Sequence, residues 1–90
     1  MTTIVKNIIP VLQKYGVKKA SLFGSYARGT QDKKSDVDIL IDPPAGMGIK
    51  IVRLQRDLES TLQKKVDVVS YNGISRHMKK NILSDQVSIL

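Results

Sequence analysis

Residues 22–41, LFGSYARGTQDKKSDVDILI, place a glycine turn and two acids between aliphatic segments. Gly24 and Ser25 follow the first segment, and Asp36 and Asp38 introduce the second. Side chains of a β-strand alternate between its two faces, so residues two positions apart share a face. We therefore expect both carboxylates to project from one face of a strand, while the aliphatic residues between and after them face a core.

Two acids beside each other in an aliphatic strand need something to compensate their charge. Neighbouring carboxylates raise each other's pKa, and strands disfavour aspartate. A divalent cation such as Mg²⁺ would offset the repulsion, because it binds carboxylate and phosphate oxygens. The alternative interpretation is that Asp36 and Asp38 are solvated residues at the start of a strand.

A third acid, Asp67, lies inside another aliphatic segment, KKVDVVS. If the two strands are neighbours, Asp36, Asp38 and Asp67 converge on one face. Three such carboxylates can hold two divalent ions, which stabilise the attacking and leaving oxygens of phosphoryl transfer. The alternative for Asp67 is an exposed acid on an edge strand, paired with a lysine.

The glycine turn offers groups that suit a phosphate. Gly24 permits an unusual φ or a close backbone approach, and Ser25 adds a hydroxyl donor. Arg28 follows one turn later and could reach a phosphate, and Lys33 and Lys34 add further positive charge. The alternative is an ordinary turn with Arg28 solvated, and the sequence contains no Walker motif.

The remaining chain predicts a single domain over residues 1–90 with the element order α-β-α-β-α-β-α, an α/β (α+β) pattern on a three-stranded sheet. Strands are predicted at residues 17–23, 37–41 and 66–70, and helices around Ile4–Leu12, 25–29, 51–62 and 74–82. The last helix rests on Ile74, Met78 and Ile82. No element is predicted for the apolar residues Val87, Ile89 and Leu90.

Composition narrows the class of protein. The 90 residues are 41% hydrophobic with one Phe and no Trp, so the core is expected to be aliphatic. There is no cysteine, which excludes disulfides and thiolate metal sites and fits a cytoplasmic location. No apolar run is long enough to span a membrane. The net charge of +7 suggests nucleic acid, nucleotide phosphates, an acidic protein or a membrane surface as partners.

Taken together, the Gly-Ser pair, the Asp-x-Asp that follows after ten intervening residues and the strand acid Asp67 resemble the DNA polymerase β-like nucleotidyltransferase superfamily. The stretch LFGSYARGTQDKKSDVDILID particularly resembles the minimal nucleotidyltransferases (MNT) of MNT–HEPN toxin–antitoxin pairs. The resemblance continues through KKVDVVS and covers nearly the whole chain. It implies a mixed three-stranded sheet flanked by helices, the nucleotidyltransferase fold.

The resemblance also implies roles for individual residues. Gly24 and Ser25 would hold the terminal phosphates of a nucleoside triphosphate. Arg28 is predicted as a further nucleotide-binding residue from its position one turn later rather than from the resemblance. Asp36 and Asp38 would ligate two Mg²⁺ ions. Asp67 would ligate the catalytic metal and help to deprotonate the attacking hydroxyl. The family reaction transfers a nucleoside monophosphate, AMP if the donor is ATP, to a hydroxyl and releases pyrophosphate.

The length of the chain leaves no acceptor-binding domain, so the acceptor is expected on another chain. The resemblance implies a HEPN-domain toxin, a ribonuclease with an Arg-x4–6-His motif. Here the single histidine, His77, follows Arg76 directly, and no arginine stands at that spacing. The chain is therefore expected to be the antitoxin, which transfers AMP to a tyrosine of the toxin.

Two other functions stay open. The chain could neutralise a partner by masking its surface without catalysis, with the tail at Val87–Leu90 as one docking element. It could also transfer a nucleotide to RNA or to a small molecule. One Phe and three Tyr offer no evident stacking platform, so nucleic acid is less favoured as a partner.

Overall fold

A computed structural model describes residues 2–32, 35–73 and 84–90, and it contains the following elements in chain order. They are α1 (Thr2–Lys14), β1 (Ala20–Phe23), α2 (Ser25–Arg28), β2 (Val37–Ile41), α3 (Lys50–Leu62), β3 (Val66–Ser70), a 3-10 turn (Tyr71–Gly73) and β4 (Val87–Ser88). The predicted order is confirmed from the first helix to the third strand. The predicted last helix, with Ile74, Met78, Ile82 and His77, lies outside the described residues.

The sheet is mixed and has the strand order β3-β2-β1-β4. β1 pairs antiparallel with β2 on one side and with β4 on the other, whereas β2 and β3 are parallel. The mixed α/β class is confirmed, but the predicted count of three strands is wrong. The fourth strand is only two residues long, Val87–Ser88. A pair of residues is too short to show the alternation by which a strand is recognised in a sequence.

The core lies between the sheet and the helices α1 and α3. Ile8 and Leu12 from α1 and Leu54 and Leu58 from α3 are fully buried. They form one apolar cluster with the strand residues Val37, Ile39 and Ile41, with Val66 at the start of β3. The expected aliphatic core is therefore present, and the alternation along β2 directs Asp38 and the buried Leu40 to the opposite face of the sheet.

The tail that the sequence left unassigned closes one edge of the sheet. Residues Ser21 and Leu22 of β1 pair with β4, and the backbone of Leu90 exchanges hydrogen bonds with Ala20. Ile89 and Leu90 pack against the core as partly buried residues. In the described part of the chain, no helix combines the length and apolar character needed to cross a membrane.

Candidate functional site

Two acids lie side by side on β2 and the neighbouring edge strand β3. Asp38 in β2 is the register partner of Asp67 in β3, and Phe23 in β1 is the partner of Asp38 on the other side. The neighbours of Asp38 along the strand, Val37 and Ile39, are buried in the core. The alternation of side chains therefore directs Asp38 and Asp67, here called the carboxylate pair, to the face opposite the one on which α1 and α3 pack.

Asp36 stands next to this pair but outside the strand. β2 begins at Val37, and Asp36 is exposed while Asp38 is half-buried. The expectation that Asp36 projects from a strand position beside Asp38 is thus only partly met, because the chain enters the sheet one residue later. Asp36 nevertheless acts electrostatically on Asp38.

The charges in this region work against one another. Burial raises the pKa of the Asp38 carboxyl, and the negative charges of Asp67 and Asp36 raise it further. The guanidinium of Arg28 acts in the opposite direction on the same pKa. A half-buried carboxylate with two like charges beside it is a site where a bound cation would lower the free energy.

The donor set suits a hard cation, although the ligands are not gathered into a finished cluster. Within residues 2–32, 35–73 and 84–90, no three His, Cys, Asp or Glu side chains are arranged to hold a metal ion. Carboxylate oxygens are the ligands that Mg²⁺ prefers, and it commonly takes only one or two from the protein, with the rest from phosphates and water. Asp36, Asp38 and Asp67 as metal ligands stay a prediction.

Gly24 brings the turn after β1 directly against the carboxylate pair. Its backbone has φ 72° and ψ −149°, a conformation that is essentially restricted to glycine. A Cβ built on Gly24 would overlap Asp38 Oδ2 and would lie 3.3 Å from its Cγ. Only a residue without a side chain therefore allows the turn to approach Asp38 this closely.

The short helix that follows carries the two other predicted nucleotide-binding residues. Ser25 begins α2 and Arg28 ends it, and the Arg28 amide donates to the Gly24 carbonyl at 3.1 Å. Arg28 Nη1 donates to Asp85 Oδ2, also at 3.1 Å, and both side chains are partly exposed. Lys33 and Lys34 lie outside the described residues.

The segment that contains Asp85 is hydrogen-bonded to the sheet on the face that also carries Asp38. The hydroxyls of Ser21 and Tyr71 are 2.7 Å apart, and Tyr71 donates to Gln86 Oε1 at 3.1 Å. Sequence reasoning missed Asp85, Tyr71 and Gln86. They are at least 43 positions from Arg28, since 71 minus 28 is 43, and no spacing in the sequence connects them to the glycine turn.

Comparisons with known proteins give a consistent picture. Residues 6–90 match the family described as Polymerase beta, Nucleotidyltransferase. The chain is 48% identical over 88 residues to a Methanocaldococcus jannaschii protein with the provisional name protein adenylyltransferase MJ0435, covering 97% of this chain and 95% of that protein. It is 33% identical over 78 residues to protein adenylyltransferase MntA of Thermococcus cleftensis, covering 86% of this chain and 79% of that protein.

A solved structure supports the same relationship. The fold matches one chain of a crystal structure of a toxin–antitoxin with AMP-PNP, with a TM-score of 0.83 and 27% sequence identity. The match covers 96% of this chain and 72% of that chain. The resemblance drawn from the glycine turn and the acids is confirmed by these matches.

Proposed function

Because this chain belongs to the polymerase β nucleotidyltransferase family, we propose that it transfers AMP from ATP to a tyrosine hydroxyl of a HEPN-domain toxin. In this proposal the chain is a single minimal nucleotidyltransferase domain over residues 1–90, and it acts in the cytoplasm as the antitoxin of the pair. The relatives named protein adenylyltransferase and the toxin–antitoxin structure with AMP-PNP support the choice of reaction and partner.

The observation that carries the proposal is the contact between the glycine turn and the carboxylate pair. Gly24 lies against Asp38, and Asp38 lies in register with Asp67. A triphosphate on the turn would therefore have its phosphates beside the acids. This is the arrangement that phosphoryl transfer needs, since the phosphates and the carboxylates can share cations.

Asp36, Asp38 and Asp67 would hold two Mg²⁺ ions when ATP binds. The raised pKa of Asp38 and the oxygen-only donor set fit such ions. When bound, Mg²⁺ would neutralise phosphate charge and stabilise the oxygens that attack and leave. Without the metal, the acids would repel the triphosphate, so we expect ATP to bind weakly in a chelator.

The turn would hold the phosphates of ATP. Ser25 would donate its hydroxyl to the terminal phosphates, and the missing side chain of Gly24 would let them approach the backbone. Arg28 uses one guanidinium nitrogen for Asp85, and its remaining donors would be available to a phosphate.

The reaction replaces a phosphoanhydride bond of ATP with a phosphodiester bond to tyrosine. The tyrosine oxygen attacks the α-phosphorus of ATP and forms a new P–O bond, while the bond from that phosphorus to the bridging oxygen of the β-phosphate breaks. Pyrophosphate leaves with the electron pair of that bond. The tyrosine proton passes to the carboxylate of Asp67, which we assign as the general base.

The proposal is tested by mixing the chain with its purified HEPN-domain partner, ATP and Mg²⁺, and measuring intact masses. We expect the partner to gain the mass of AMP, with the modified residue identified as tyrosine by peptide fragmentation. The variant Asp36→Asn/Asp38→Asn should lose the transfer. Asp42→Asn is the matched control, because it removes an exposed acid that lies just beyond β2.

Other outcomes separate the alternatives. A partner that is neutralised without any added mass, equally well by Asp36→Asn/Asp38→Asn, would favour masking over catalysis. Labelling of RNA or of a small molecule by radioactive ATP, with none on the HEPN protein, would favour a different acceptor.

A further inference from the structure

A basic cleft lies between the end of α1 and the start of α3. It is lined by Lys14, Tyr15, Lys50 and Arg53 and has a volume of about 430 Å³. Both helices pack on the core side of the sheet, whereas the carboxylate pair projects from the other side. The cleft is therefore separate from the proposed transfer site.

Asp57, which contacts two residues of the cleft lining, already has partners. Tyr15 donates its hydroxyl to Asp57 Oδ2 at 2.5 Å, and Lys14 Nζ lies 3.5 Å from the same oxygen. Lys50 and Arg53 form no ion pair with any residue in the described ranges. Among the described residues, no carboxylate lies within ion-pair distance of these two cations of the cleft lining.

Apolar side chains border these two cations. Ile49 is 87% exposed and Val52 is 50% exposed, and in the described part of the chain they are the large apolar residues with the greatest exposure. The α3 stripe consists of Ile49, which precedes α3 with a helical backbone conformation, and Val52, Arg53 and Arg56 within α3. Their spacing of i, i+3, i+4 and i+7 places them on one side of the helix. The inward side of α3 is separate and carries the buried Leu54 and other core residues. Ile49 and Val52 thus lie beside two cations that have no ion-pair partner among the described residues.

We propose that the basic cleft and the α3 stripe bind an acidic protein segment that also carries an aliphatic residue. Carboxylates of the segment would pair with Lys50 and Arg53, and its aliphatic side chain would cover Ile49 and Val52. The occupant is a different protein, because a second copy of this chain brings the same net charge of +7.

The side chains disfavour the other anionic occupants. Single-stranded nucleic acid is bound on aromatic platforms with free ring faces. Tyr15 in the cleft lining is partly buried and bonded to Asp57, and the exposed large apolar groups are aliphatic. A membrane surface calls for a broad apolar helix face, and this stripe offers only two apolar residues. This inference goes beyond the proposed AMP transfer and does not depend on it.

A labelled synthetic peptide tests the proposal by fluorescence anisotropy. The probe consists of Glu-Glu-Leu repeats, and a second peptide with Glu-Glu-Ser repeats matches its charge. We expect the unmodified chain to bind the leucine peptide more tightly. Lys50→Ala/Arg53→Ala should weaken that binding by about tenfold or more, and Ile49→Ser should remove the preference for leucine. Lys6→Ala/Lys65→Ala removes two exposed lysines elsewhere and should leave the affinity within about twofold.

Several results would overturn the proposal. Failure of the leucine peptide to bind the unmodified chain would contradict it, and so would equal affinity of the unmodified chain for the leucine and serine peptides. An equal loss in the Lys6→Ala/Lys65→Ala control would show that only overall charge matters. Displacement of the peptide by poly-uridine RNA, or by phosphatidylserine vesicles, at lower concentrations than the peptide itself needs would assign the surface to those partners instead. Amide NMR shifts confined to residues 14–15 and 49–56 would support the proposed location, and shifts elsewhere would contradict it.

Discussion

The backbone of Gly24 and the carboxylate of Asp38 occupy adjoining space that no side chain can enter. A Cβ on Gly24 would overlap Asp38 Oδ2, and the positive φ of 72° independently disfavours any other residue. The backbone conformation at Gly24 and the position of the Asp38 carboxylate therefore depend on each other. A change at either position is expected to affect the geometry of the other.

Gly24→Ala should destabilise the fold and abolish AMP transfer. The strained φ alone costs about 1–3 kcal/mol, and the overlap forces either the turn or Asp38 to move. Urea denaturation and the intact-mass assay measure the two effects. Gly46→Ala is the control, since Gly46 also has a positive φ, 77°, but a Cβ there meets nothing within 4 Å. Equal losses in the two variants would contradict the proposed role of the overlap.

Asp38→Asn should stabilise the isolated chain while it removes activity. The substitution takes away a half-buried charge whose pKa is raised by burial and by the charges of Asp67 and Asp36. We expect a gain on the order of 0.5–1 kcal/mol, or about 2–8 °C in Tm, by differential scanning calorimetry in the presence of a chelator. Asp42→Asn should leave Tm nearly unchanged. A lower Tm for Asp38→Asn would show that the carboxylate stabilises the fold.

Asp85→Asn should impair the use of ATP more than it affects stability. The ion pair of Arg28 with Asp85 is partly exposed, so its loss is expected to cost less than about 1 kcal/mol. Arg28 would lose its orienting partner, and we expect KM for ATP to rise by a factor of about 2–5 with kcat nearly constant. Asp85→Glu keeps a carboxylate at this position, so its KM for ATP should be closer to that of the unmodified chain. An unchanged KM in Asp85→Asn would exclude a positioning role for Asp85.

Tyr15→Phe should change the acid dependence of stability. The hydrogen bond from the Tyr15 hydroxyl lowers the pKa of Asp57. The nearby Lys14 charge lowers it as well, whereas burial raises it. A carboxyl whose pKa is lower in the folded state stabilises the fold above its unfolded pKa of about 3.9, and that stabilisation disappears as pH falls through the folded pKa. The stability difference between the unmodified chain and Tyr15→Phe should therefore narrow below about pH 4.

Carboxyl carbon NMR measures the pKa of Asp57. Urea denaturation from acid to neutral pH measures the stability difference between the unmodified chain and Tyr15→Phe. In Tyr15→Phe the pKa of Asp57 should rise towards its ordinary value. Tyr71→Phe is the matched control, because it also loses a hydroxyl but contacts Ser21 and Gln86 rather than Asp57. An unaltered pKa of Asp57 in Tyr15→Phe would contradict the assignment.

Much of the fold and part of the candidate site could be predicted from local patterns. The alternation around Asp38 predicted a strand with Val37 and Ile39 facing the core, and both are buried. Leu54 and Leu58 repeat at helical spacing, and both are buried on the core side of α3. These periodicities are visible because each element must bury one face, and that requirement acts on residues close together in the chain.

The tertiary structure alone determined which of these elements meet. The parallel pairing of β2 and β3 puts Asp67 beside Asp38. The local sequence pattern predicts neither β4 nor the ion pair of Arg28 with Asp85. The close approach of Gly24 to Asp38 likewise depends on how β1 and β2 pair. The sequence by itself determined the periodic elements and the residue types of the site. Their juxtaposition was decided by long-range packing, because contacts between distant residues impose no repeating pattern on the chain.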